Sequence, residues 1–389
     1  MNVKDLLKSV LSSHAEKFSK QPLIAAYAPG RVEILGNHTD YNEGFVLSAA
    51  INMGTICAVS KSVNNSCTLF ARDMDSEYKF NLDGFIPDSS VPWASYITGV
   101  TALLGIPTDG FGFDLTVSTD IPIGAGLSSS AALEVSCGLA ISSLYGIEHK
   151  PMDLAKICQK AENEYTGTKC GLLDQISSLF GKPHSLIFTD FRTLDVVTIK
   201  MPEDICFLMA DTGVKHALVD SEYNLRREQC ERARDHFAQC LDKPVAALRD
   251  VQQDDWVKCK EGLNEVDARR ALHVIGENDR VLRAKSLIEN GDHKLVGKLM
   301  FESHESSQKN FENSCPELDY LVFVAHKLPE VAGARLSGGG FGGSVVAMVT
   351  KEDASKAEQK LAAGYAEKYG VPCATRQIIP SAGARLLNI

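Results

Sequence analysis

Three glycine-punctuated stretches and two isolated carboxylates hold the residue types that can do chemistry. Gly124-Ala-Gly-Leu-Ser-Ser-Ser130 stands between an alternating segment and a helical one. Glycines there let the backbone approach a ligand closely, and the first helical turn offers unpaired N–H groups with about half a positive charge. Gly124, Ala125, Gly126, Leu127, Ser128, Ser129 and Ser130 thus form a candidate anion site. The loop is not a Walker A motif, because no Gly-Lys-Ser/Thr follows, and Ser129 fills the third-glycine place of the dinucleotide fingerprint. A serine-rich helix cap would look the same. Gly338-Gly-Gly340-Phe-Gly-Gly343-Ser-Val345 spells G-x-G-x-x-G-x-V. A Rossmann site would need a helix next, but Val345–Val349 is strand-like. A protein kinase would need further motifs downstream, and none occurs in the 44 residues after Val345. What remains is a glycine loop before a strand, able to pack on a ligand or on another loop. The third stretch, Pro29 to Gly44, compresses Asn37, His38, Thr39, Asp40, Tyr41 and Asn42 beside Arg31. Donors and acceptors side by side suit a polyhydroxylated ligand; a solvated turn rich in Asn and Asp is the alternative.

The carboxylates stand where charge is costly. After Pro151, Leu154, Ile157, Cys158, Ala161 and Tyr165 follow helical spacing, and Glu162 lies on the same stripe. An ionised Glu in an apolar seam needs a cation, a metal or a raised pKa. A bound divalent cation meets that need, and so would a boundary Glu paired with Lys or Arg. Asp174, in Cys170-Gly-Leu-Leu-Asp-Gln-Ile, is also flanked by apolar residues and reads either as a working carboxylate or as a helix cap.

Composition limits the ligands. At ~150 residues per domain, 389 residues predict two to three domains. The 44% apolar and 23% charged content is that of a globular chain, neither disordered nor fibrous. A net charge of −10 provides no broad positive field for nucleic acid or anionic lipid. Any polyanion must therefore be held locally, by backbone amides, one or two cations or a metal. There is no run long enough to span a membrane, and the charged start MNVKDLLKSVLSSHAEKF does not read as a signal peptide. Eleven scattered cysteines without a C-x-x-C speak against a disulfide framework or a cysteine zinc site and suit a reducing cytoplasm. His304-Glu305 opens like H-E-x-x-H, but Gln308 ends that reading.

These residues must be positioned by a mixed set of elements. The pattern predicts an opening helix over about 2–19, then a strand-like segment at Leu23–Ala28. Alternation at Phe111, Phe113, Leu115 and Val117 predicts a half-buried strand, followed by a buried helix over Ala131–Leu144. Further helices are expected from Pro151 to near Gly167, over Glu222–Leu241, over about 310–327 and over Lys351–Tyr369, with a strand at Ser344–Val349. Strands and helices mix without a βαβ rhythm, so the fold class is α+β. The expected division lies near 190–205, where strand-like pieces flank Met201-Pro202. It gives residues 1–195, with the polar turn and the phosphate loop, and 196–389, with the C-terminal glycine loop.

Together and in this order, the three loops resemble those of the GHMP small-molecule kinases. The first motif is similar to the signature of the galactose-phosphorylating members through Gly30-Arg31, Gly36, His38-Thr39-Asp40-Tyr41-Asn42 and Gly44. Pro122–Ala132 resembles the family's phosphate loop and Leu336–Gly343 its C-terminal glycine loop. Similar stretches fill the rest: Val91–Tyr96, Ala161-Glu162 through Asp174-Gln175, Val214-Lys-His-Ala217, Ser221-Glu-Tyr223, Arg226-Arg227, Gln229-Cys230 and Ala382–Leu386. The resemblance implies two domains with the active site in the cleft between them. It also implies transfer of the ATP γ-phosphoryl group to the anomeric hydroxyl of D-galactose, giving galactose 1-phosphate and ADP. The alternatives are a kinase for N-acetylgalactosamine or arabinose, or a sugar sensor without turnover. Asp174 is implied as the catalytic carboxylate, with Arg31 beside the transferring group. Ser130 and Glu162 are implied as Mg²⁺ holders and Gly124–Ser130 as the ATP-phosphate wrap. Asn37, His38, Thr39, Asp40, Gly171 and Tyr223 would line the sugar pocket, and Trp93 would border the adenine. One departure stands out: the family pattern has Glu where this chain has Asn37. A carboxylate there only accepts hydrogen bonds, whereas an amide also donates. The partners implied are a sugar and a nucleotide, with no nucleic acid and no membrane; the oligomeric state stays open, a monomer included.

Overall fold

The structure is a computed structural model that describes residues 2–86, 90–122, 124–167, 170–215 and 219–389. His216-Ala217, and Ile123 of the phosphate loop, lie outside the described residues. The first half runs α1 (Val3–Phe18), β1 (Ile24–Leu35), β2 (Phe45–Lys61), β3 (Ser66–Ala71), β4 (Ser76–Asn81), α2 (Pro92–Leu103), β5 (Phe113–Thr119), α3 (Ser129–Leu144), α4 (Pro151–Ala161), α5 (Leu173–Phe180), β6 (Ser185–Asp190) and β7 (Asp195–Lys200). The second half runs β8 (Ile205–Lys215), α6 (Val219–Cys240), α7 (Gln253–Cys259), α8 (Glu265–Glu289), α9 (His293–Ser306), α10 (Pro316–His326), β9 (Val331–Ser337), β10 (Gly342–Thr350), α11 (Ala354–Tyr369), β11 (Ala374–Ile378) and β12 (Arg385–Leu387).

These strands form an eight-stranded sheet, ordered β12-β1-β2-β5-β3-β4 with β6 on β2 and β7 on β6, and a four-stranded sheet, ordered β11-β8-β10-β9. The α+β class follows from mostly antiparallel pairing, with β3–β5 the one parallel pair among the described residues. The chain leaves the larger sheet at Lys200 and enters the smaller at Ile205, around Met201-Pro202. β7 and the C-terminal β12 both belong to the larger sheet, so a cut at 195 does not separate the two sheets.

Burial explains the elements that lacked a clear period. β1 is buried almost throughout, so its apolar residues do not alternate, and it runs past the expected Ala28 to Leu35. That extension places Arg31 and Glu33 inside a strand. α3 is built from small residues and lies buried against β1 and β2 and among α2, α4 and α5. Its small side chains let the neighbouring backbones come close. One apolar core crosses both sheets: Ile34, Leu47 and Ile51 of the first half pack with Phe207, Met209, Val281, Met300 and Val346 of the second. A second core of α2, α3 and α4 residues lies under the larger sheet. This shared packing fixes where the mouths of the two halves meet.

One cysteine expectation is corrected. Cys240, at the end of α6, and Cys259, at the end of α7, form a disulfide with Cα atoms 6.0 Å apart, and the other nine cysteines are free thiols. A fold-back between two helices brings that pair together, and residue spacing alone does not show it.

Candidate active site

Arg31 and Glu33 stand two residues apart on one face of β1. That face borders a cavity lined also by Asn37, His38, Asp40, Gly171, Asp174, Tyr223 and Gly338-Gly339. Arg31 Nε donates to Asp174 Oδ1 at 2.7 Å and Nη2 to Oδ2 at 2.9 Å, a bidentate pair. Its third arm, Nη1, donates to the Gly126 carbonyl at 2.7 Å. The guanidinium therefore ties β1, the start of α5 and the phosphate loop together. Asp174 also accepts a short bond from the Ser128 hydroxyl. Of about four acceptor positions on a carboxylate, three are taken, and one on Oδ1 remains.

Ser128 precedes α3 with φ 57, between Gly126 at φ 75 and the helix. Its hydroxyl goes to Asp174, and α3 starts without a side-chain cap. The first-turn N–H groups of α3 thus have no side-chain cap, which sets aside the reading of the serines as a cap. Gly30 is required beside this loop, because a Cβ there would lie 2.3 Å from the Leu127 carbonyl oxygen. Ser129 and Ser130 line a second cavity with Trp93, Tyr96, Met74 and Leu133, whose apolar walls suit a flat heteroaromatic ring. The loop Ser128–Ser130 thus joins the two cavities.

Glu162 opens a single π-helical turn (Glu162–Thr166) at the end of α4, and it is buried. Its Oε2 accepts from Gln175 Nε2 at 2.9 Å and from the Cys170 thiol at 3.2 Å, and the Ser130 hydroxyl also bonds to it. Burial first, and then the Asp174 charge, push its pKa up. Among the described residues no Lys or Arg pairs with it. Glu134 lies behind, fully buried, and shares the Gln175 amide at 3.1 Å; burial and then the Glu162 charge raise its pKa well above the usual range. One carboxylate and one hydroxyl are the hard oxygen donors that Mg²⁺ takes alongside waters and phosphate oxygens, so the residues fit that ion. Among the described residues no cluster of three or more His, Cys, Asp or Glu forms an all-protein cage.

The polar turn divides into residues that face the cavity and residues that hold the turn. Asn37 Nδ2 donates to Glu33 Oε1 at 3.0 Å and to the Gly338 carbonyl at 2.8 Å, and its Oδ1 accepts from Asn313 Nδ2 at 2.8 Å. The donors by which an amide differs from a carboxylate are therefore spent on the protein, not offered to a ligand. His38 Nε2 lies 3.0 Å from the Gly339 carbonyl, which can only accept, so Nδ1 is the acceptor for the Tyr41 hydroxyl at 2.8 Å. Burial lowers its pKa to about 3, and the ring is neutral at physiological pH. Thr39 is off the cavity: its hydroxyl reaches the carbonyls of Gly36 and Phe45, both at 2.7 Å, so it is a turn former and not a lining residue. Asp40 does line the cavity, and burial raises its pKa to about 7. Gly171 leaves it room, because a Cβ there would come within 1.7 Å of Asp40 Oδ2. Tyr223 stacks at a tilt on His38, ring centres 5.0 Å apart.

Residues not singled out in the sequence complete the frame. Glu277 of α8 accepts from the backbone N–H of Gly36 at 2.9 Å and of Asn37 at 3.3 Å. Burial opposes its charge, but Arg280 and Arg335 hold its carboxyl well below the usual range. His273, one turn earlier, faces the Asn37 carbonyl at 3.1 Å. Arg335 of β9 donates to Glu33 Oε1 at 2.7 Å with its side chain fully buried. Two glycine loops meet where Ser344 Oγ donates to the Ala125 carbonyl at 2.8 Å. A usable signal existed in part: His273 and Glu277 interrupt the apolar stripe of Val274, Ala271 and Val281, as Glu162 does in α4.

Comparison with known proteins resolves the family. The galactokinase galactose-binding signature matches residues 12–61, the N-terminal domain of GHMP kinases 95–182 and their C-terminal domain 284–367. The galactokinase of Actinobacillus succinogenes is 40% identical over 363 residues, covering 92% of this chain and 93% of that protein. The chain belongs to the galactokinase family. Membership makes it an ATP-dependent sugar kinase of the GHMP type. The galactokinase of Pasteurella multocida is also 40% identical over 363 residues, covering 92% of this chain and 93% of its own. Among solved structures, Lactococcus lactis galactokinase complexed with galactose superposes with a TM-score of 0.92 at 28% identity, covering 98% of this chain and all of that one.

Within a galactokinase frame, Asn37 serves as a clamp between the halves. Asn37→Glu would remove both donors and set a second carboxylate against Glu33. It should lower stability by about 2–4 kcal/mol, read as a shift in urea or thermal midpoint. An unchanged midpoint would show that the loops do not depend on this amide.

Proposed function

We propose that the chain transfers the γ-phosphoryl group of ATP to the anomeric hydroxyl of D-galactose, giving galactose 1-phosphate and ADP. The observation that carries this reading is the Arg31–Asp174–Ser128 constellation, at the junction of a polar cavity and an apolar one. Carboxylate and phenol groups of Asp40, Glu33 and Tyr223 around the first cavity suit a polyol. In this reading Asp174 takes the proton of the attacking hydroxyl at its remaining Oδ1 position. Arg31 offsets charge that develops on the transferring group. The uncapped start of α3, with Gly124–Ser130, holds the nucleotide phosphates, and Trp93 borders the adenine. Ser130 and Glu162 would hold Mg²⁺, which when bound neutralises phosphate charge and orients the leaving oxygen. His38 and Gly171 act through their neighbours, His38 as a neutral strut and Gly171 as space for Asp40.

The domain division we propose falls in residues 200–205, with β12 returning to the first unit. Nine free thiols favour a reducing cytoplasm, despite the single disulfide. A sensor that has lost turnover is disfavoured, because Asp174 and Arg31 are both present and paired.

A panel of galactose, N-acetylgalactosamine and arabinose with ATP and Mg²⁺ tests the substrate. The highest kcat/KM is expected for galactose, and a clearly higher value for another sugar would replace it. Asp174→Asn should lower kcat by ~10²–10⁴ with ATP binding retained; near-normal turnover would remove the base assignment. Glu162→Gln should shift the Mg²⁺ dependence of ATP binding, measured by calorimetry, to higher concentration. A superimposable titration would return Glu162 to a purely structural role.

A further inference from the structure

We infer that Glu33 is a specificity-determining residue that accepts a hydrogen bond from a sugar hydroxyl at the end of the ring away from the reacting anomeric oxygen. This rests on the galactokinase reading and extends it to a residue that the polar-turn motif does not include. Glu33 is a buried carboxylate that nonetheless lines the cavity. Its two side-chain hydrogen bonds, from Arg335 Nη1 at 2.7 Å and Asn37 Nδ2 at 3.0 Å, both end on Oε1. Among the described residues none reaches Oε2.

The surroundings set a buried cation against that carboxylate. Arg335 is fully buried, its Nε and Nη2 have no hydrogen-bond partner, and its one hydrogen-bonded nitrogen is spent on Glu33. A buried guanidinium with so few partners stays only where an opposite charge faces it. Position then follows from the strand. Arg31 and Glu33 pair with Ala50 and Ser48 of β2 without a break in register, so they share a face about 6.6 Å apart. Arg31 grips Asp174, so Glu33 lies roughly one pyranose width further along, next to Gly338. Asn37 has no donor left, and Glu33 presents an open acceptor on that wall, beside the Asp40 carboxylate in the same cavity. In this chain the carboxylate that the family pattern has at position 37 is thus supplied from position 33.

The test is a series of 2-, 3-, 4- and 6-deoxygalactoses against the wild-type enzyme and Glu33→Gln. In the wild type, one analogue remote from the anomeric carbon should lose roughly 10- to 100-fold in kcat/KM, the worth of a hydrogen bond to a charged group. In Glu33→Gln that penalty should shrink to a few-fold, with the loss in galactose KM and the ATP KM unchanged. Equal penalties in both proteins for every analogue would overturn the assignment. Glu33→Gln leaves Arg335 unpaired, so a crystal of the wild-type enzyme with galactose provides a test that does not depend on the variant folding. A sugar hydroxyl within hydrogen-bonding distance of the Glu33 carboxylate supports the proposal. Galactose seated against Asp174 with no hydroxyl near Glu33 refutes it while leaving the galactokinase reading intact. Galactose bound elsewhere on the protein refutes both.

Discussion

A single guanidinium joins the pieces of this site. Arg31 has one arm on each oxygen of Asp174 and one on the Gly126 carbonyl, so strand, helix and phosphate loop share one planar group. The fork geometry of Arg suits this, since its donors lie in a fixed plane and a lysine could serve only as a point charge. Ser128 reinforces the arrangement by giving its hydroxyl to Asp174, and in doing so leaves α3 uncapped. Orientation of the carboxylate and readiness for an anion therefore come from the same local sacrifice. Phosphoryl transfer depends mainly on positioning and electrostatics, and this arrangement supplies both.

The polar turn has a second task. Its backbone is held by Glu277 and His273 of α8, and its side chains reach the carbonyls of Gly338 and Gly339. Residues that line the cavity are thus the same ones that lock the two halves together. Neutral His38, Asn37 with its donors committed and the buried Glu33–Arg335 pair form a wall whose hydrogen-bonding pattern is set before any ligand arrives. Such a wall discriminates by what it leaves unsatisfied when the wrong ligand enters.

Much of this was legible in residue order. The glycine and serine content of Gly124–Ser130 reads as a strand-to-helix loop, and the structure places it between β5 and α3. The misplaced carboxylate at 162 was visible because helical spacing exposes an exception. Thr39 was misjudged because a polar residue in a turn gives no sign whether its hydrogen bonds go inward or outward; Asn37 does line the cavity, with its donors turned to the protein. Glu33 went unnoticed because β1 is buried on both faces, so no alternation marked the cavity side. Arg335, Glu277 and the cystine depend on contacts between segments far apart in sequence, which local periodicity does not encode.

The apolar core that runs beneath both sheets has a mechanical consequence. Side chains such as Ile34 and Leu47 interdigitate with Phe207 and Met300, so swinging the halves apart as rigid bodies would wet a continuous greasy seam. A crevice closed beneath by such a seam keeps its two walls in register, so the spacing between them is a property of the core and not of the loops.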